Sequence, residues 1–422
     1  MREMKDSGIE WIGYIPKNWN MSKTGSLYTQ RNEKVSDKEY QPLSVTMQGV
    51  LPQLASAAKT DDGDNRKLVR VGDFAINSRS DRRGSCGISP LDGSVSLINI
   101  ILTPRTTMHS GYYDWLFHTT LFADEFYKWG HGIVADLWTT RWQEMKSICV
   151  PVPEYAEQKH ISEFLDSECA EIDAVLEKTR ASINEYKKLK QAVITQAVTK
   201  GIRGDRPMKD SGIEWTSSIP YDVSISRIGL HFNIILGKML CLTPLDETYT
   251  LESYYCAADV HFEGISKGEK KRMWFNPTEK QQYLVNNGDL LVVEGGAGAG
   301  GCAIVRENDK QMFIQNSIMI VRPKEQSSTR YLRYLMECFV KQGYIDVVCN
   351  KATIPHFTKD KLSTMPYIVF SVDEQKEIAD YLDVKCAEID NLISKKEQYI
   401  TEIENYKKSL IYEYVTGKKE VD

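Results

Sequence analysis

Three short runs carry the side chains best suited to binding a polyanion. The clearest is Asn77-Ser78-Arg79-Ser80-Asp81-Arg82-Arg83-Gly84, where three arginines stand among small residues that let backbone approach a phosphate. A second run holds Lys267, Lys270, Lys271 and Arg272, and a third places Lys359 and Lys361 around Asp360. Arginine suits phosphates and guanine edges, lysine mainly phosphates, and Asn77 or Ser78 either. Any one of these residues alone reads more plainly as part of a solvated charged loop. As clusters, Asn77, Ser78, Arg79, Arg82, Arg83, Lys267, Lys270, Lys271, Arg272, Lys359 and Lys361 are the candidate nucleic-acid contacts.

Catalytic patterns are missing. The stretch Gly295-Gly296-Ala297-Gly298-Ala299-Gly300-Gly301 lacks the Gly-Lys-Ser/Thr of a P-loop and leads toward an apolar strand-like run rather than a helix, so it reads as a strand connection. There is no H-E-x-x-H, no G-x-S-x-G and no Asn/Asp-Pro-Pro-aromatic motif of the kind amino-methyltransferases use. The nine cysteines are scattered without a C-x-x-C, and the seven histidines are dispersed. The chain is therefore expected to be non-enzymatic, without a metal or cofactor of its own.

The elements that must position these runs come in duplicate. Met4-Lys5-Asp6-Ser7-Gly8-Ile9-Glu10-Trp11 returns unchanged as Met208-Lys209-Asp210-Ser211-Gly212-Ile213-Glu214-Trp215, a shift of 204, and the match extends to Ile15-Pro16 and Ile219-Pro220. A second set repeats at a shift of 217: Glu157-Gln158-Lys159 with Glu374-Gln375-Lys376, Cys169-Ala170-Glu171-Ile172-Asp173 with Cys386-Ala387-Glu388-Ile389-Asp390, and Val198-Thr199 with Val415-Thr416. The period is far longer than that of a solenoid, so a whole domain is doubled. Between the matching frames the copies diverge.

Residues 157–199 and 374–416 carry apolar residues in alternating steps of four and three, the rhythm of a coiled-coil seam. Leu165, Ile172, Leu176 and Ile183 mark it in the first helix; Leu382, Ile389, Ile393, Ile400, Ile403 and Leu410 mark it in the second. Gly201 and Gly417 are the expected stops. Cys169 and Cys386 read as small apolar fillers. Each seam also holds a lysine at the same place, Lys190 and Lys407, which either fixes the register or lifts its ammonium out of a loose seam. Neither helix is expected to be stable alone, so the two should pack together. Chain order suggests an antiparallel pair, although spacing alone leaves a parallel one open. A helix of this length spans about 65 Å, enough to act as a ruler between two binding heads.

The inserts 17–150 and 221–370 read as mixed α/β, with strand-like runs at 69–71, 96–102, 148–152, 290–293, 302–305 and 318–321 and helices at 112–128 and 329–342. Gly72-Asp73-Phe74 corresponds to Gly288-Asp289-Leu290, and Met145 and Ile148 are matched to Met365 and Ile368. The segments are 1–16, insert 17–150, helical region 151–207, repeated opening 208–220, insert 221–370 and helical region 371–422. The fold class is α+β: two α/β domains held apart by a pair of long helices in a pseudo-two-fold repeat. A net charge of −5 excludes a generic polyanion sponge but not a basic groove. No apolar run approaches membrane-helix length, and the opening residues are no signal peptide, so a cytoplasmic, reduced protein is expected.

These features closely resemble the specificity subunit of type I restriction–modification systems over essentially the whole chain. The resemblance rests on Gly-Ile-Glu-Trp…Ile-Pro at 8–16 and 212–220, on the lead-in Pro151-Val152-Pro153-Glu154-Tyr155-Ala156-Glu157-Gln158, on Ala-Glu-Ile-Asp at 170–173 and on Val-Thr-Lys-Gly at 198–201. The second lead-in, Ser371-Val372-Asp373-Glu374-Gln375, lacks the prolines, and Val223 stands where the first copy has Trp19. The resemblance implies two target-recognition domains, each reading one half of a split sequence in double-stranded DNA. It implies two modification subunits docked on the helices, with restriction subunits in the full complex and no membrane. S-adenosylmethionine, ATP and cleavage would belong to those partners. DNA contacts vary with the target, so none is transferred by residue. Glu171, Asp173, Glu388 and Asp390 are candidate partner-facing positions. The alternatives are a freestanding DNA-binding or decoy protein and a protein-binding scaffold.

Overall fold

A computed structural model describes residues 2–53, 63–105, 108–132, 138–213, 216–306, 311–324, 327–349 and 356–421; Glu214 and Trp215 of the second octapeptide lie outside these. The chain divides into two compact units, residues 1–180 with 397–422 and residues 181–396. Each takes one insert and part of each long helix.

In unit 1 the insert forms an antiparallel sheet from β1 (Tyr28–Arg31), β2 (Phe74–Asn77), β3 (Cys86–Ile88) and β4 (Asn99–Pro104), ordered β3-β2-β4-β1. In unit 2 the sheet has β5 (Phe232–Leu236), β6 (Leu290–Val293), β7 (Cys302–Ile304) and β8 (Ile318–Pro323), ordered β7-β6-β8-β5. The two orders are the same once the copies are matched, so the divergent inserts share one topology. The central strands are mostly apolar because both faces are covered. Leu290 and Val292 enter one core while Leu291 and Val293 enter another, and Phe74 and Ile76 are likewise separated from Ala75. This is the period-two alternation of a strand between two cores.

Several boundaries differ from the sequence pattern for local reasons. The run at 96–102 begins as a strand only at Asn99, because Asn99 N–H closes a turn onto Ser96 O at 3.0 Å. The run at 69–71 ends its strand at Val69, and Val71 is exposed in the turn before β2. The helix expected at 112–128 is two, Ser110–Phe117 and Thr120–Lys128, because the Thr119 hydroxyl accepts from Phe122 N–H and caps a new start. The expected match of Met145 to Met365 is three residues out. Thr24 N–H donates to Ile148 O at 2.9 Å and Ile228 N–H to Met365 O at 3.0 Å. Thr24 and Ile228 are related by the shift of 204, so Ile148 matches Met365 and Met145 matches Leu362. Methionine and isoleucine recur three apart in both places, which hides the offset.

The Gly-Asp doublets prove to be equivalent turns. Gly72 N–H donates to Ser89 O and Gly288 N–H to Val305 O. The carboxylate of Asp73 is held by Arg31 of β1, whereas that of Asp289 is held by Arg322 of β8. The same buried acid is thus neutralised by arginines from different strands.

The two long helices are α1 (Tyr155–Lys200) and α2 (Val372–Val415). Gly201 and Gly417 follow at φ +75° and +70°, left-handed positions at which a side chain is strained. Within unit 1, Asp173 pairs with Lys407 and Arg180 with Glu404; within unit 2, Lys190 pairs with Asp390 and Lys396 lies over the Tyr186 ring. Rising numbers on one helix meet falling numbers on the other, so each unit holds an antiparallel pair. Leu165, Leu176, Ile183, Leu382, Ile389, Ile393 and Leu410 are buried, and Ile172, Ile400 and Ile403 half-buried. Burial pushes the thiols of Cys169 and Cys386 up to about 11, as expected of seam fillers.

The seam lysines keep partly buried stems and send their ammonium groups to an aspartate across the pair, Lys190 to Asp390 at 2.7 Å and Lys407 to Asp173 at 2.6 Å. Asp173 and Asp390, expected on a partner-facing surface, are instead tied to the opposite helix, although both remain more than half exposed. Glu388 pairs along its own helix with Lys385; Glu171 is exposed. Charge reversal K190D should lower the stability of unit 2 by about 0.5–1 kcal/mol, because the bridge is solvent-screened. Adding D390K should restore it. Urea midpoints check this, and a double variant no better than K190D would remove the bridge as a register lock.

Candidate nucleic-acid interface

The arginine-rich run forms the β2–β3 connection and is built on buried polar anchors. Asn77 and Ser78, expected as contacts, are 6 % and 4 % exposed. The Asn77 side chain accepts from Arg79 N–H at 3.0 Å, and the Ser78 hydroxyl donates to Ile98 O at 2.5 Å. The Tyr127 hydroxyl donates to both Asn77 O (3.1 Å) and Arg82 O (3.3 Å), pinning the start and middle of the loop. These groups shape the loop rather than present themselves. Arg79, Arg82 and Arg83 are exposed. Arg83 pairs with Asp124, and Arg82 lies 3.8 Å from Asp81. Arg79 has no carboxylate partner among the described residues. Two indoles are exposed: Trp129, whose Nε1–H donates to Glu125 at 2.8 Å, and Trp138, whose O accepts from Ser80 N–H of the loop at 2.9 Å. The sequence reading passed over both tryptophans, although Trp129-Gly130-His131-Gly132, an aromatic among glycines, was a signal for an exposed ring.

In unit 2 the lysine-rich run lies between Gly264–Ile265 and Arg272–Phe275 and lines a cleft of about 2050 Å³. Lys270 is committed: its ammonium donates to Asp259 at 2.7 Å and to Ser266 O at 2.6 Å, and only 13 % of its side chain is exposed. Lys267 and Lys271 are exposed, and Arg272 donates to Leu251 O at 2.7 Å. The cleft is not a basic groove, because Glu252, Glu263, Glu269, Glu337, Asp383 and Asp390 share its walls with the cations. Burial alone would raise the Asp383 carboxyl, but the Tyr334 hydroxyl and Arg330 hold it below the ordinary aspartate value.

Lys359 and Lys361 open the helix Lys359–Thr364, which Thr358 caps by accepting from Lys361 N–H. Lys359 is exposed, and the Lys361 ammonium donates to His356 O at 2.7 Å. The glycine-rich run is the connection between β6 and β7, as its lack of a following helix suggested. Of the three basic runs, one lies in unit 1 and two lie on separate elements of unit 2.

Two features of the repeated frame tie each domain to the helices. Gln158 and Gln375 are buried, and each accepts a backbone N–H at the start of a domain helix, from His109 at 2.8 Å and from Ser328 at 2.9 Å. Each donates to the backbone of its own lead-in, Pro153 O and Phe370 O, at 2.8 Å. Tyr112 donates to Val415 O at 2.7 Å and Tyr331 to Val198 O at 3.0 Å, so each domain also holds the end of a long helix within its unit.

Comparison with known proteins agrees with this architecture. Residues 268–405 match the model of the type I restriction modification DNA specificity domain. The specificity subunit of the type I restriction enzyme MjaVIII from Methanocaldococcus jannaschii is 24 % identical over 288 residues, which is 65 % of this chain and 62 % of that protein's length. A solved chain from a study of complex assembly and conformational transition of the type I restriction–modification system has a TM-score of 0.73 at 14 % identity, covering 96 % of this chain and 99 % of that one. The HsdS subunit from Thermoanaerobacter tengcongensis has a TM-score of 0.55 at 15 % identity, covering 96 % and 98 %. Among the described residues no helix is long and apolar enough to cross a membrane. The chain is thus similar in sequence to a type I restriction modification DNA specificity domain over residues 268–405, and in fold to solved type I restriction–modification chains over nearly its whole length.

Proposed function

We propose that this chain is the non-catalytic, sequence-specific DNA-binding subunit of a type I restriction–modification complex in the cytoplasm. Each α/β domain contacts one half of a split target in double-stranded DNA. The helix pair sets the spacing of the halves and docks two modification subunits, with restriction subunits joining the full assembly. S-adenosylmethionine and ATP act on those partners.

The observation that carries this reading is one sheet topology and one set of anchors built twice, with unlike loops on each copy. Like frames give the two domains the same job, and unlike loops give them different targets, which suits a DNA sequence whose halves differ. The experiment is a methylome. The chain is expressed with its cognate modification subunit in a host lacking adenine methylation, and modified bases are read by sequencing. N6-methyladenine in both halves of a split motif is the expected result. Co-purification without methylation would instead favour an inactive or decoy complex, and no co-purification would favour a protein-binding scaffold.

A further inference from the structure

Matching the two sheets strand by strand brings together two segments that look unrelated as sequence. β2 matches β6 and β3 matches β7, so the arginine-rich connection at 78–85 and the glycine-rich connection at 294–301 occupy the same place. The match extends to a second segment laid against each loop. Thr140 N–H donates to Ser78 O at 2.9 Å, and Phe357 N–H donates to Glu294 O at 2.6 Å. The next pair along is bridged in both, Arg79 with Thr139 and Gly295 with His356. Each domain therefore presents a β–β connection with one strap across it.

What these surfaces carry points to a nucleic acid. In the first domain Arg79 has no carboxylate partner among the described residues, Arg82 is only loosely paired, and Trp138, whose O accepts from Ser80 N–H, is 38 % exposed. Exposed guanidinium groups on the loop and an exposed indole on the strap suit a partner with both phosphates and flat apolar surface. In the second domain the strap supplies His356, exposed and 3.7 Å from the Glu294 carboxylate, and leads to the exposed Lys359. Between them the loop offers exposed Ala297 and Gly298, where peptide groups meet the outside with almost no side chain in the way. The competing cluster at 267–272 holds Lys270 in an internal ion pair and faces a cleft lined with acids.

We propose that the half-site surfaces of the two domains are these matched connections, 78–85 with Trp138 and 294–301 with His356 and Lys359, and that they meet DNA by different means. The first reaches out with arginine and indole; the second lets the duplex approach its backbone, with Glu294 and His356 as the side chains able to meet a base edge. This assignment rests on the DNA-binding reading above.

The test uses the full complex with its modification subunit and a duplex carrying the motif read from the native methylome, titrated at several salt concentrations. Gly298 and Gly268 make a matched pair. A Cβ on Gly298 would sit 3.8 Å from Val293, an ordinary contact, and one on Gly268 would meet nothing within 4 Å. Both G298L and G268L should therefore fold, and unchanged melting temperatures check this. G298L should weaken binding at least tenfold, with the loss confined to one half-site: once that half is scrambled, native and variant bind alike. R79A/R82A should weaken binding at least tenfold and reduce the salt slope by about 2. G268L and K267A/K271A should stay within twofold of native. Native-like binding by G298L, with a tenfold loss in K267A/K271A, would overturn the assignment and move the second surface to the cleft. A native complex that leaves DNA unmethylated and binds all duplexes alike would refute the sequence-specific reading itself, and this assignment with it.

Discussion

Replacing Arg206 by methionine is expected to destabilise unit 2 by about 3–5 kcal/mol, the usual cost of stripping one partner from a buried ion pair. Arg206 pairs with Glu374, whose side chain is 4 % exposed, and also with Asp222. Without it, the only remaining cation paired with Glu374 among the described residues is Arg203, 3.8 Å away. The repeat supplies the control. Arg2 stands at the matching place in the first copy and pairs with Glu157, but that carboxylate is 19 % exposed and also accepts from the Trp19 indole at 2.9 Å. R2M should therefore cost only about 1 kcal/mol. The double variant R206M/E374Q should regain at least half of the loss, because it removes the stranded charge. Urea unfolding of the full chain, followed as two transitions, checks all three. Equal costs for R206M and R2M, or no rescue by E374Q, would show that Glu374 does not depend on this arginine.

Gln375→Ala should be nearly as damaging and should exceed Gln158→Ala. The Gln375 side chain accepts from Ser328 N–H and from the Tyr367 hydroxyl, both at 2.9 Å, and donates to Phe370 O at 2.8 Å. Gln158 serves two groups, His109 N–H and Pro153 O. A buried polar group left without a partner costs about 1–3 kcal/mol, so three orphans against two predict a gap on the order of 1–2 kcal/mol. A glutamate in place of Gln375 should not rescue, since it keeps the acceptor, loses the donor to Phe370 O and buries a charge. Thermal unfolding of the two alanine variants decides the order, and a larger loss at Gln158 would contradict it.

These two variants explain why the Glu-Gln lead-in repeats. Glu157 and Glu374 hold the arginine just ahead of each octapeptide, and Gln158 and Gln375 hold the first helix of each domain's closing half. Val223 stands where the first copy has Trp19, so Glu374 lacks the indole donor that Glu157 has and meets Arg203 at 3.8 Å beside Arg206 instead. The motif is a joint, and its variations follow the partners at hand.

The sequence by itself determined the duplication, both long helices and their seam, the glycines that end them, and the strands at 290–293 and 318–321. All of these are local: periodicity, capping and apolar runs are fixed by neighbours along the chain. Tertiary structure alone decided the antiparallel direction, the pairing of Lys190 with Asp390 and Lys407 with Asp173, and the arginine that reaches each buried aspartate. It turned Asn77 and Ser78 inward, locked Lys270 onto Asp259, and matched an arginine-rich loop with a glycine-rich one that shares none of its side chains. The physical reason is common to all of these. A charged or hydrogen-bonding side chain is defined by what it meets, and here the partner often arrives from tens to hundreds of residues away, when the sheet closes or the second helix returns along the first.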